Sequence, residues 1–214
     1  MPITSVPSRD LIDEYLEKLL VLQYKASEMI VHKLTRGELR EKFLMNIVRE
    51  EFPKITLSDG IISKGRWQSS QGDFFRLTDN ARVGTMKVYD ANDCMLFMEI
   101  KSKAKKNEFV QMEKHASEIK QKNCKICVGM FCYSTVAMQE TVLKQFGFKY
   151  DSSIMGYNGY DSRIDEYPNI DFIYSLGVIG KDDNRSYFVI KDISENKTLY
   201  QDFPVIKYFF NMFR

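Results

Sequence analysis

The run Cys94-Met-Leu-Phe-Met-Glu-Ile-Lys101 constrains the fold more than any other stretch of the chain. It is apolar, free of Gly and Pro, and as long as a buried strand, yet it ends in a carboxylate and an ammonium. Charged side chains enter a sheet interior at a steep desolvation cost, so their presence there asks for a reason. Side chains alternate along a strand, so Glu99 and Lys101 share one face and Ile100 looks the other way. Upstream, Trp67-Gln-Ser-Ser-Gln-Gly72 reads as a turn and Asp73-Phe-Phe-Arg-Leu-Thr78 as a short strand. Paired as an antiparallel hairpin, the two strands bring Asp73 opposite Glu99. Facing carboxylates repel unless a divalent cation or a shared proton lies between them, and all-oxygen donors favour Mg2+ or Mn2+. Without a function, the same residues reduce to a surface ion pair and a turn cap.

The D-x25-E-x-K spacing of Asp73, Glu99 and Lys101 resembles the PD-(D/E)xK nucleases, the restriction-endonuclease-like superfamily. Gly72 stands where that family often has Pro. A second match precedes it: Arg36-Gly37-Glu38-Leu39-Arg40-Glu41 carries the G-x-x-x-E helix pattern of the Holliday-junction-resolvase-like members. Apolar residues at 43, 44, 47, 48 and 52 continue that helix until Pro53. Residues 36–133 are also similar to a small bacterial branch of the superfamily, through R-G-E-x-R-E and the S-x-Q-x-D step at Ser69, Gln71 and Asp73. The resemblance implies that Asp73 and Glu99 hold a magnesium ion with the Ile100 carbonyl, that Glu41 adds a further ligand, and that Lys101 aligns the attacking water. It implies DNA as substrate, in a defence or mobile-element setting. A non-catalytic binding subunit with the same fold, or a nuclease acting on RNA, stays open.

Composition is that of a soluble globular chain, with 44% hydrophobic and 28% charged residues and a net charge of only +2. A protein wrapped broadly around nucleic acid is therefore not expected, but charge is concentrated beside the strand at Lys103, Lys105, Lys106 and Lys114, where it would suit a phosphate backbone. The N-terminus lacks the pattern of a signal peptide and no apolar run is as long as a membrane span, so a cytoplasmic protein with reduced cysteines is expected.

The expected fold is α/β, a mixed central sheet flanked by helices, with the whole chain 1–214 as one domain. Residues 8–34 read as one long helix with Leu11, Tyr15, Leu19 and Leu22 on its apolar stripe, which favours packing on the domain or on a second copy. The core spans 36–133, including a 54–63 hairpin turning at Asp59-Gly60, a surface connection over 79–93, a helix over 107–122, on which the resemblance implies that a polar residue, Gln111 or Lys114, reaches the site, and a parallel strand over 126–133. The remainder, 134–214, forms an α+β extension: a helix from 134 to 146 ended by Gly147, a hairpin of 170–179 with 186–191, and an aromatic helix at 204–213. The acids Asp161, Asp165, Glu166 and Asp171 read as a solvated loop. The partners expected are DNA and either a second copy or a protein that targets the enzyme, with no membrane.

Overall fold

The computed structural model describes residues 8–82, 84–153, 156–177 and 186–214. Two helices come first, α1 (Arg9–Ser27) and α2 (Lys33–Glu51). The single helix read over 8–34 is thus broken after Ser27, with neither Gly nor Pro at the break. The His32 ring accepts the Thr35 N–H and starts α2 afresh, while the Arg40 guanidinium reaches back to Ser27 and Glu28 at the end of α1. The buried face of α1 differs as well. Leu11, Tyr15 and Leu22 are more than half exposed, whereas Asp13, Glu17, Leu20, Tyr24 and Ser27 turn inward. Glu17 tolerates burial because it accepts from the Tyr174 hydroxyl at 3.0 Å and the Ile206 N–H at 2.7 Å. A stripe read from apolar residues alone assigns such a face to solvent.

Eleven strands follow among the described residues. They are β1 (Thr56–Lys64), β2 (Trp67–Gln68), β3 (Gly72–Leu77), β4 (Val88–Asp90), β5 (Cys94–Lys101), β6 (Cys127–Cys132), β7 (Phe148–Asp151), β8 (Gly156–Tyr160), β9 (Phe172–Ser175), β10 (Tyr187–Lys191) and β11 (Lys197–Tyr200). The main sheet runs β11-β10-β9-β6-β5-β3-β1-β2, with β4 beside β1, and β7–β8 form a separate pair. Helix α3 (Lys106–Lys122) carries the chain from β5 to the parallel β6, as the sequence indicated. The 54–63 segment is one bent strand rather than a hairpin. Gly60 sits at a register shift with φ 134°, and a Cβ there would come within 2.2 Å of the Lys87 carbonyl oxygen, so it serves a bulge and not a turn. The 79–93 connection contributes β4, and the helix read over 134–146 shrinks to α4 (Gln139–Gln145), ended by Gly147 at φ 89°. Strands β9 and β10 pair antiparallel as expected, while the turn read at 180–184 lies outside the described residues.

The sheet divides two cores. One lies under α3 and α4 and joins Phe75, Phe97, Val128 and Met130 to Phe109, Met112 and Leu143. The other joins Phe74, Met98, Ile100 and Phe131 to Leu20, Leu44, Val48 and, from α5 (Ile206–Phe210), Phe209. Each fully buried aromatic or aliphatic side chain contributes about 1.5–3 kcal/mol, so both faces of β5 are strongly specified. The aromatic C-terminus finds its burial in the second core. No helix among the described residues is long and apolar enough to cross a membrane. The four loop acids are not a loose solvated group: Asp161 pairs with Arg163, Asp165 with Lys197, Glu166 with Lys106 and Asp171 with Lys120.

Candidate active site

Strands β3 and β5 pair antiparallel with Phe74 opposite Met98, and the next step of that register sets Asp73 opposite Glu99. The turn leading into β3 is fixed from two sides. The Ser69 hydroxyl accepts the Ile62 N–H at 3.0 Å, and the Ser70 hydroxyl lies 3.3 Å from His115 Nδ1 on α3. Gly72 follows because nothing larger fits: a Cβ would come within 2.4 Å of the Phe75 ring and 2.7 Å of the Phe97 ring. That packing accounts for the departure from proline.

Asp73 Oδ2 accepts the Ile100 backbone N–H at 2.8 Å. Burial and the adjoining Glu99 carboxylate raise the Asp73 pKa above the usual carboxylate range, against the opposing effects of the Ile100 N–H and Lys101. Glu99 is 8% exposed and accepts from Lys101 Nζ at 2.7 Å, two residues on along the same face. Burial alone would lower the Lys101 pKa, but the charges of Glu99 and Asp73 outweigh it and hold the ammonium above its ordinary value. At neutral pH Lys101 is therefore a fixed cation, suited to holding a water or a phosphoryl oxygen and not to accepting a proton.

Glu41 arrives on α2, from the opposite helix layer. Burial first, and then repulsion from Asp73, push its carboxyl up to about 7, with Lys101 opposing. The structure thus brings Asp73, Glu99, Lys101 and Glu41 into one electrostatic group. Among the described residues, no three His, Cys, Asp or Glu side chains converge closely enough to enclose a metal ion. Two adjoining carboxylates with a third nearby still match the hard-oxygen chemistry of magnesium, which keeps several waters and is commonly held by one or two carboxylates together with substrate phosphates. The Ile100 N–H points to β3, and a strand residue directs its carbonyl towards the same neighbour.

Of the lysines beside the site, Lys103, Lys105 and Lys114 are exposed, and Lys106 is paired with Glu166 at 3.2 Å. Gln111, like Lys114, lies on an exposed position of α3. Two supporting residues are not visible in the sequence pattern. Arg40, inside the R-G-E-x-R-E run, is buried, and Tyr133 donates to its carbonyl oxygen. A buried arginine next to Glu41 carries no periodic signal that separates it from a surface one.

No family model and no curated protein matches the sequence. Solved structures do match. NucC of P. aeruginosa ATCC27853 in a cAAA-bound form aligns over 97% of this chain and 90% of its own, with a TM-score of 0.68 at 10% identity. NucC of E. coli MS115-1 aligns in a cAAA-bound form over 93% and 85%, with a TM-score of 0.64 at 10% identity, and in an apo form over 97% and 92%, with a TM-score of 0.59 at 9% identity. The fold is restriction-endonuclease-like. On that restriction-endonuclease-like sheet the four charged residues gather where β5 ends and its chain turns towards α3. A cavity of about 470 Å³, lined by Glu17, Val21, Ser186 and Phe203 among others, lies elsewhere.

Proposed function

We propose that the protein is a magnesium-dependent endonuclease that hydrolyses DNA phosphodiesters in the cytoplasm, in a defence setting. The observation that carries this reading is the facing pair Asp73 and Glu99 across β3 and β5, with Lys101 bonded to Glu99 on the same strand face. Asp73, Glu99 and the Ile100 carbonyl would hold the cation, with Glu41 as a further ligand or the holder of a bound water. A magnesium ion so held supplies charge neutralisation at the phosphate and lowers the pKa of a water. Lys101 then orients the attacking water and offsets the negative charge that grows on the phosphoryl oxygens. Lys103, Lys105, Lys106 and Lys114 would follow the phosphate backbone. DNA is preferred to RNA on the family resemblance. The exposed Leu11, Tyr15 and Leu22 of α1 would suit a second copy, which would present two sites to the two strands of a duplex.

The test is cleavage of supercoiled plasmid by the purified protein with magnesium or manganese, with EDTA, and with cAAA added, since neighbours of the same fold carry that ligand. Asp73→Ala and Lys101→Ala run alongside. Cleavage by the wild type, lost with EDTA and in both variants, supports the proposal. If the variants cut as well as the wild type, or nothing cuts under any of these conditions, the non-catalytic binding subunit becomes the better reading; degradation of RNA alone would shift the substrate.

A further inference from the structure

Tyr133 follows β6 and is bonded both to the strand and to the helix that carry the site. Its backbone N–H donates to the Lys101 carbonyl at 2.9 Å, and its hydroxyl donates to the Arg40 carbonyl at 2.7 Å, one residue from Glu41. One residue, by its backbone on one side and its ring hydroxyl on the other, thus links the strand bearing Lys101 to the helix bearing Glu41. The ring is fully buried, stacked on Tyr24 at 5.5 Å with 17° between planes, and edge-on to Phe131 at 4.8 Å. Burial keeps the phenol protonated by raising its pKa, so the hydroxyl is a permanent donor with no access to water. The core at this point asks only for an aromatic ring, as Phe131 beside it shows. The hydroxyl serves the α2 backbone, donating to the Arg40 carbonyl and meeting the Leu44 N–H one turn on.

The Arg40 side chain completes the arrangement. Its guanidinium lies 4.1 Å from the Tyr24 ring centre, and it donates to the Ser27 hydroxyl at 2.8 Å and to the Glu28 carboxylate. Backbone and side chain of Arg40 are therefore held by different elements, the first by Tyr133 and the second by the end of α1. Together they tie α2 down at the residue next to Glu41.

We infer that Tyr133 is a positioning residue of the acid cluster, whose hydroxyl fixes α2 at Arg40 and so sets where Glu41 stands relative to Asp73 and Lys101. This rests on reading Glu41 as a member of the site. Small displacements of a ligating group weaken metal binding and catalysis out of proportion to their effect on folding. It also makes the end of α1, through Tyr24, Ser27 and Glu28, part of the support of the site.

The test is Tyr133→Phe, which keeps the ring and deletes the hydroxyl with its contacts to the α2 backbone at Arg40 and Leu44, measured for the magnesium concentration giving half-maximal cleavage and repeated in a Glu41→Gln background. Tyr174→Phe, which deletes an equally buried hydroxyl bonded to Glu17, controls for general loosening. The expected result is an increase of about tenfold in the magnesium requirement for Tyr133→Phe, none for Tyr174→Phe, and no further change when Tyr133→Phe is added to Glu41→Gln. An equal effect of Tyr133→Phe in both backgrounds, or a loss of melting temperature with an unchanged magnesium requirement, overturns the inference. Should the wild type cut nothing, the same comparison is made on the manganese concentration that raises its melting temperature. A wild type stabilised by manganese with Tyr133→Phe identical to it sinks this inference alone; a wild type that neither cuts nor responds to manganese removes the site and the inference together.

Discussion

The Ile100 N–H donates to the Asp73 carboxylate at 2.8 Å, so a side chain takes the place of the next backbone acceptor at the end of the β3–β5 ladder. Asp73 is thereby held in position by the sheet itself. Asp73→Asn keeps an oxygen for that N–H while removing the charge. Its circular dichroism should match the metal-free wild type, its melting temperature at neutral pH should equal or exceed that of the wild type because a buried charge beside Glu99 is gone, and plasmid cleavage should fall by about 10²–10³-fold. A comparable loss of folding would mean that the charge is structural.

The acid cluster also sets a pH dependence. Asp73 and Glu41 both titrate above the ordinary carboxylate range in the folded protein, Glu41 near 7, so protonation favours the fold. Their contribution to stability is present below the unfolded value of about 4.3 and is lost as pH rises through about 7. In EDTA, the melting temperature should therefore decline between pH 5 and pH 8. For Glu41 alone, after allowance for its partial exposure, the loss amounts to about 1–2 kcal/mol. Magnesium should cancel much of the decline, and Glu41→Gln should flatten it in EDTA. Urea titrations at the two pH values measure both; a profile in EDTA that rises with pH would contradict the carboxylate assignment.

Gly72 has the Phe75 and Phe97 rings where a side chain would stand. Gly72→Ala forces those buried rings or the strand to move, at a cost of about 1–3 kcal/mol by overpacking. The displaced strand carries Asp73, so activity should drop more steeply than stability. Chemical denaturation paired with cleavage at low temperature, where both forms are folded, separates the two effects; a neutral substitution would show that the rings yield freely.

The exposed lysines differ in their commitments. Lys106 has Glu166 at 3.2 Å, whereas Lys103, Lys105 and Lys114 are in no ion pair among the described residues. Replacing the latter three with Gln should weaken duplex binding and lower the slope of log affinity against log salt by about 1 for each phosphate left without its lysine. Lys106→Gln should do less. Fluorescence anisotropy of a labelled duplex in EDTA reads this without cleavage, and an unchanged slope would remove α3 and its leading loop from the nucleic-acid surface.

Short-range pattern made the centre of this molecule legible. Apolar content and length marked β5, alternation put Glu99 beside Lys101, and turn residues placed Asp73 at the start of β3, so the register followed from the sequence. The misses share a cause. The break between α1 and α2 depends on Arg40 reaching back to Ser27 and Glu28, the bulge at Gly60 depends on the distant Lys87 carbonyl, and the inward face of α1 depends on donors from Tyr174 and Ile206. Each is decided by a partner remote in sequence, and local periodicity holds no trace of it. Tyr133 escaped for the same reason, since its hydroxyl meets a carbonyl 93 positions away.

The separation of two cores by alternate residues of β5 ties the chemistry to the folding of the strand. A slip of one position would put Glu99 and Lys101 into the core that now holds Met98 and Ile100, and would carry those apolar side chains to the charged rim. A slipped register is therefore penalised by both cores at once, and on the proposed function any loss of activity on heating should track the fraction unfolded.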